Sequence, residues 1–311
     1  MTLQQLSYIA AVDTYRHFTT AAEKCFVTQA TLSMMIRKLE EELNLRIFDR
    51  SKQPVTPTEA GRAVIAQARV VLHECDRVKE IAQEGSGSVN GELKIGIIPT
   101  LAPYLLPMFL DGFLKKYPDV KLRISELTTT EIIHKLKQNE LHAGLLATPL
   151  NDAALIEDPL FYEEFVVYAS AKEKPLQKKF LLANDIDVNR LWLLEEGHCL
   201  RSQVVNLCEL KKLEKEMHQL DFAAGSLETL KKIVEANQGI TILPELALND
   251  MTQRQKKNVR FFKSPAPARE IGLVTYRYHI KEKAIQALKA EIMLHVPVKM
   301  KTSSRKEVVN I

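Results

Sequence analysis

Two cysteines stand nine residues apart in the run Glu196-Gly197-His198-Cys199-Leu200-Arg201-Ser202-Gln203-Val204-Val205-Asn206-Leu207-Cys208. A histidine and an arginine beside Cys199 bring positive charge or hydrogen-bond donors that favour the thiolate, the reactive form of the side chain. A second thiol within reach can trap an oxidised first one as a disulfide. On one continuous helix the two Cα atoms would lie roughly 13 Å apart on opposite faces. A disulfide requires about 4.4–6.8 Å. Closing the bond would then unwind the segment that carries it, which is the behaviour of a switch. The competing reading is that both are small apolar side chains in a core, the common fate of a free cysteine.

The totals narrow the choice. At 311 residues the chain is long enough for two or three domains. An apolar content of 46%, a charged content of 26% and a net charge of +4 are ordinary for a soluble globular protein and do not by themselves call for nucleic acid. No stretch reaches the roughly 18 unbroken apolar residues of a membrane span, and the start lacks the basic-then-apolar pattern of a secretory signal. The expected compartment is therefore the cytoplasm, where a lasting structural disulfide is disfavoured. That moves Cys199 and Cys208 toward sensing or catalysis. Cys25 and Cys75 sit in helical patterns and read as packing residues.

Residues 2–50 read as a tight helical unit. Leu3, Leu6, Ile9, Ala10 and Val12 mark a first amphipathic helix. A short second helix opens at Phe18, with Thr19 or Thr20 as its cap, and runs through Ala21, Ala22 and Cys25. Thr28 is a natural N-cap for a third helix reaching about Leu43. Leu32, Ile36, Leu39 and Leu43 form its buried stripe, and Gln29, Ser33 and Arg37 recur on another face. This is the pattern of a helix-turn-helix, whose last helix fits the major groove. There Gln, Ser and Arg can read base edges. Arg50-Ser51-Lys52-Gln53-Pro54-Val55-Thr56 has the basic, turn-rich character of a wing on phosphates.

From Thr58-Glu59 to about Gln83 one long helix is expected. Val64, Ala68, Val71, Cys75, Val78 and Ala82 alternate by four and three, the spacing of a coiled-coil seam, and its position between domains favours a dimerisation helix over packing on its own domain. The run 84–91 is a flexible linker by composition. The remainder reads as α/β, with strand candidates at 93–98, 120–127, 145–147, 165–169, 191–194, 241–243 and 271–276 and helical patterns between many of them. Thr100 and Thr128-Thr129-Thr130 place hydroxyls at strand ends beside helix starts, where doubly wound sheets bind small polar ligands, although a cap is the plainer use. There is no Walker A loop, no GxGxxG and no clustered His/Cys spacing, so neither metal nor cofactor is expected. The basic tail from Lys299 is expected to fray.

With these residues in view, the chain resembles a LysR-type transcriptional regulator over essentially its whole length. The match runs through Ala21-Ala22-Glu23, Thr28-Gln29-Ala30-Thr31-Leu32-Ser33, Ile36-Arg37-Lys38-Leu39-Glu40, Phe48-Asp49-Arg50 and Thr58-Glu59-Ala60-Gly61. Within the family it is similar to the peroxide sensors through Ile97-Ile98-Pro99-Thr100, Pro103-Tyr104-Leu105-Leu106-Pro107 and Leu194–Arg201. The same holds for Ser226–Leu230, Gly239–Pro244 and Cys208. At position 202 Ser stands where those proteins often carry Asp, which removes a carboxylate from the local network.

The resemblance implies a winged helix-turn-helix over 1–58, a linker helix and hinge over 59–90, and a two-subdomain α/β regulatory domain over 91–300 resembling periplasmic-binding-protein folds. Its subdomains would span about 91–163 with 268–300, and about 164–267, followed by the basic tail 301–311. Cys199 would be the peroxidatic thiol and Cys208 the resolving one, with Thr100, Thr129, His198, Arg201 and Arg269 lining the peroxide pocket. Thr28, Gln29, Thr31, Ser33, Arg37, Arg50 and Lys52 would meet DNA.

The expected function is that of a non-enzymatic regulator of oxidative-stress genes. It would bind promoter DNA, sense hydrogen peroxide by reversible disulfide formation, work with RNA polymerase, and assemble as a dimer or tetramer away from membranes. Two rivals remain: a regulator answering a small organic ligand in its cleft, and a thiol peroxidase whose head is only an oligomerisation unit. A solute-binding protein is disfavoured by the missing export pattern.

Overall fold

The computed structural model describes residues 1–83, 89–170, 180–182, 186, 190–195, 199–208, 225–237, 239–277 and 281–309. The chain divides into two units, one on Met1–Ser88 and one on Val89–Arg277 with Lys281–Ile311.

In the first unit α1 (Leu3–Tyr15) starts at a capping box between Thr2 and Gln5 and buries Leu6, Ile9 and Val12. The cap expected at Thr19 or Thr20 does not form. Both lie inside α2 (Phe18–Lys24), whose N-cap is His17, and the Thr20 hydroxyl turns back to His17 Nδ1 at 3.4 Å. Helix α3 (Gln29–Glu42) begins at Thr28, whose hydroxyl accepts from the Thr31 N–H at 3.2 Å. Such a cap contributes about 1 kcal/mol. Leu32, Ile36 and Leu39 are fully buried against the other helices. Strands β1 (Phe48–Asp49) and β2 (Thr56–Pro57) pair antiparallel as a wing with residues 50–55 at its tip.

Helix α4 (Glu59–Gln83) follows directly. A Cβ on Gly61 would lie 2.0 Å from the Ile47 carbonyl oxygen, so only glycine lets the helix start this close to the wing. The seam expected for dimerisation is partly used at home. Ala68 is buried together with Ile65, and Val64 and Val71 lean on the same core as α1, because a coiled-coil stripe and a core-facing stripe share one period. Cys75 is half-buried and Val78 is exposed, so among the seam residues whose side chains are described only Val78 turns outward.

The second unit is α/β. It contains β3 (Gly91–Ile97), α5 (Ala102–Lys116), β4 (Val120–Glu126), α6 (Thr129–Lys137), β5 (Ala143–Thr148) and β6 (Leu155–Ala169). These are followed by β7 (Phe180–Leu181), α7 (Cys199–Leu207), α8 (Leu227–Ala236), β8 (Ile240–Pro244), α9 (Gln253–Lys256) and β9 (Val259–Phe262). Last come β10 (Ala266–Tyr276), α10 (Glu282–His295) and β11 (Lys306–Val308). The strands run β4-β3-β5-β10-β6-β9-β7, with β8 beside β6 and β11 beside β10.

Strand β3 is parallel to both β4 and β5, and β10 is antiparallel to β5 and β6. Long strand β6 changes partners along its length. Leu155–Glu164 pair with β10, and Phe165–Ala169 pair with β8 and β9.

Two expectations are corrected. Leu191–Leu194 is not a strand: Leu191 and Leu194 are isolated bridge residues, Leu191 pairing in parallel with Ile240. Gly239 sits at φ +151° with the Trp192 indole 2.3 Å from where a Cβ would be, and Thr241 donates to the Trp192 carbonyl, so the chain turns in rather than continuing the ladder. The tail does not fray through 309. β11 pairs in parallel with Ala266–Ala268, and the Lys306 ammonium donates to the carbonyls of Tyr162, Lys299 and Thr302 at 3.0, 2.8 and 3.1 Å. Backbone oxygens there replace water around the charge, and burial lowers the Lys306 pKa.

Candidate functional site

On the head, Gln29, Thr31 and Arg37 are exposed on α3, and Thr28 is occupied as its cap. Ser33 is half-buried and accepts from Arg50 Nη1 at 3.1 Å, which leaves its own proton to donate outward. Arg50 also bonds Glu40 Oε2 at 3.0 Å and lies 5.0 Å from the Phe18 ring centroid. Arg50 therefore braces the wing against α3, a role its place in a basic run did not suggest. Lys52 stays exposed at the wing tip, 3.7 Å from Asp49. Met34, 51% exposed on α3, adds an apolar side chain that the polar pattern passed over.

Replacing Gln29 or Ser33 by Ala is expected to weaken binding to a preferred site by about 1–3 kcal/mol for each base the helix no longer reads. Lys52→Ala is expected to weaken binding to all sequences alike and to flatten the salt dependence. Titrations on a selected site and on random DNA at two salt concentrations check this; equal weakening for all three on both DNAs would sink the reading.

In the second unit Cys199 is the first residue of α7 and Cys208 follows its last. The Cys208 N–H still bonds the Val204 carbonyl at 3.0 Å, so the helical path includes both cysteines. Nine residues of helix place the thiols at opposite ends and on opposite faces. Both are free, Cys199 buried and Cys208 half-buried. Burial pushes the Cys208 thiol up to about 11. Iodoacetamide should therefore alkylate native Cys208 slowly between pH 7 and 9, with the rate rising through about pH 11. Unfolding should return it to the behaviour of an ordinary thiol. Native and unfolded rates that match across this range would contradict the burial. Burial likewise raises the Cys25 thiol, in keeping with a packing role.

Of the expected pocket residues, the structure joins Thr100 and Arg269. The Arg269 guanidinium is fully buried and donates to Thr100 Oγ1 at 2.8 Å and to the Thr100 carbonyl at 3.1 Å. Its charge is met by Glu163, also fully buried, which takes Nε and Nη2 at 2.9 and 2.8 Å. Burial pushes the Glu163 carboxyl up against the pull of Arg269 and of the Leu246 N–H at 2.7 Å. Thr100 is therefore not a cap: the N-cap of α5 is Leu101, and the Thr100 hydroxyl is oriented by Arg269.

Thr128 caps α6 in a capping box with Glu131, and Thr129 is its first residue. The Thr129 hydroxyl is buried with no partner among the described residues. Thr100 and Thr129 follow the carboxyl ends of the parallel neighbours β3 and β4. Arg201 donates to the Leu194 carbonyl at 2.9 Å and so ties α7 to the segment before it. His198 lies outside the described residues. Tyr104 on α5 donates to Glu228 on α8 at 2.8 Å, beside a buried Lys231 that pairs with the same carboxylate at 2.6 Å. Burial raises the Tyr104 phenol, and Glu228 adds to the shift.

Glu163 was missed from sequence because it is one of two adjacent glutamates, which read together as a solvated pair. The alternation Phe161, Glu163, Phe165 on one strand face was the available signal. Among the described residues no His, Cys, Asp and Glu group into a metal site, and no helix is long and apolar enough to cross a membrane.

A winged head that presents a polar helix, followed by an α/β unit with threonines at parallel strand ends, defines a regulator built from a DNA-binding and a sensing domain. Residues 3–62 match the bacterial regulatory helix-turn-helix proteins of the lysR family, and residues 86–295 match the LysR substrate binding domain. The chain belongs to the LysR family of transcriptional regulators.

It is 37% identical over 275 residues to the hydrogen peroxide-inducible genes activator of Haemophilus influenzae, covering 88% of this chain and 90% of that one. To the DNA-binding transcriptional dual regulator OxyR of Escherichia coli K12 it is 36% identical over 276 residues, covering 88% and 89%. Its fold is similar to a cysteine-to-aspartate variant of full-length OxyR from Pseudomonas aeruginosa, with a TM-score of 0.77, 34% identity and coverage of 95% and 99%.

Proposed function

We propose that this regulator senses hydrogen peroxide through Cys199 and Cys208 and changes its contacts with promoter DNA in response. The observation that carries the reading is the placement of two free cysteines at the two ends of one helix. The Cys199 thiolate attacks the peroxide O–O bond and becomes a sulfenic acid, releasing hydroxide; Cys208 then displaces that oxygen as water and forms the disulfide. Thr100, held by Arg269, and Thr129, whose hydroxyl has no partner among the described residues, are suited to hold a small polar oxidant; the resemblance assigns His198 and Arg201 the same role.

Closing the bond must unwind α7, and that refolding alters subunit packing in a homodimer or tetramer and hence the spacing of the heads on DNA. The protein acts in the cytoplasm with RNA polymerase as its partner on oxidative-stress genes.

Footprinting on a selected DNA site, with thiol counting before and after one equivalent of peroxide, tests this. Peroxide should remove two thiols and change the footprint's length or phasing, and millimolar reductant should restore both. A footprint indifferent to peroxide but moved by an organic ligand would favour the cleft reading. Many turnovers with a reductant, without sequence-specific DNA binding, would favour a thiol peroxidase.

A further inference from the structure

Gln203 lies on α7 between the two cysteines and has no exposed surface. Its Nε2 donates to the carbonyl oxygen of Val309 at 3.1 Å, while its Oε1 is buried without a partner among the described residues. A half-satisfied buried amide is costly, so its neighbours must hold it in place. Val309 follows β11, and its own N–H donates to the Ala268 carbonyl at 2.8 Å, one residue before Arg269. One residue of the C-terminal segment thus joins the helix that carries both cysteines to the strand that orients Thr100. The segment is itself anchored by the ladder to β10 and by the three carbonyls around Lys306.

We propose that the C-terminal strand is a latch on the redox helix: Gln203 is a positioning residue whose bond to Val309 keeps α7 helical and must break before Cys208 can reach Cys199. The inference rests on the assignment of these cysteines as the switch pair. Sulfenic acid formation at Cys199 needs no movement of α7, whereas displacement of the sulfenic oxygen as water by Cys208 does. The latch therefore acts on the second step alone. It delays disulfide closure and lowers the stability of the disulfide relative to the dithiol.

Two variants test it: full-length Gln203→Leu, which keeps the volume and helix preference but loses the amide, and a chain ending at Arg305. After a peroxide pulse, dimedone trapping follows Cys199 oxidation and mass spectrometry follows the disulfide. Both variants should oxidise Cys199 within about twofold of the parent rate while closing the disulfide about tenfold faster. In a glutathione buffer the disulfide should be about tenfold more stable, a potential about 30 mV more negative.

Equal closure rates in all three proteins, with Cys199 oxidised normally, would overturn the latch and leave the switch intact. So would a parallel change in both steps, the mark of a loosened pocket. A parent protein that never oxidises at Cys199 would overturn the switch assignment and the latch with it. Should the shortened chain fail to fold, Gln203→Leu alone decides.

Discussion

Cys199→Ser is expected to lose the peroxide response completely: no change in footprint, no loss of thiols and no new disulfide at any peroxide dose that switches the parent. A serine hydroxyl stays protonated near neutral pH and its oxygen cannot accept a second oxygen, so neither step of the chemistry has a substitute. The buried seat of Cys199 at the head of α7 accepts the smaller side chain without rearrangement, so the variant should fold and bind DNA as the reduced parent does.

Cys208→Ser separates the two steps. It should still consume peroxide at Cys199 but stop at the sulfenic acid or proceed to higher oxides, because no second thiol intercepts it. Cys25 and Cys75 should remain free thiols in every variant. In the oxidised parent, exchange mass spectrometry should report faster amide exchange in residues 199–208, where α7 unwinds, with α1 to α3 still protected. A Cys199→Ser protein that still shifts its footprint with peroxide would end the proposal. Unchanged exchange in 199–208 despite a complete disulfide would end the refolding mechanism alone.

What the sequence made legible was local. The stripe Leu32, Ile36 and Leu39, the Thr28 cap and the turn-rich wing are written within a few residues of one another, and the structure repeats them. The separation of Cys199 and Cys208 followed from counting residues only on the condition of one continuous helix, and it is the structure that supplies that helix. What stayed hidden was long-range or double in meaning. Glu163 and Arg269 are 106 positions apart, and no period or composition links them. The front of β6 is crowded with carboxylates that mask its alternation, and Glu163 is buried only because Arg269 arrives from β10. Ala68 obeys a coiled-coil spacing and an ordinary core spacing equally well, and within one chain it packs in the core of the head. Lys306 read as solvated, yet three carbonyls take the place of water. Residues 209–220, richer in Lys and Glu than the peroxide sensors suggest, lie outside the described residues.

Arg269→Ala is expected to destabilise the second unit by about 3–5 kcal/mol, the usual result of stranding one member of a fully buried ion pair. Glu163 would keep only the Leu246 N–H, and Thr100 would lose both donors that fix it. The loss should depend on pH, with a definite sign. Without the guanidinium, burial raises the Glu163 carboxyl further above its unfolded value, so the folded variant holds a proton that the unfolded chain has released. Stability of the variant therefore falls as pH rises from the ordinary carboxyl range through that raised value, and its deficit is larger at pH 8 than at pH 5.

Urea unfolding followed by the fluorescence of Trp192, the chain's one tryptophan, reads this unit directly. The double variant Glu163→Gln with Arg269→Met should cost less than the sum of its single changes, because it removes both charges and leaves neither stranded. A deficit under about 1 kcal/mol, or one that grows toward acid pH, would mean that the pair is not a buried, charge-compensated brace. With the brace removed but the fold retained, the rate of Cys199 oxidation by peroxide then isolates what an oriented Thr100 hydroxyl contributes to the chemistry.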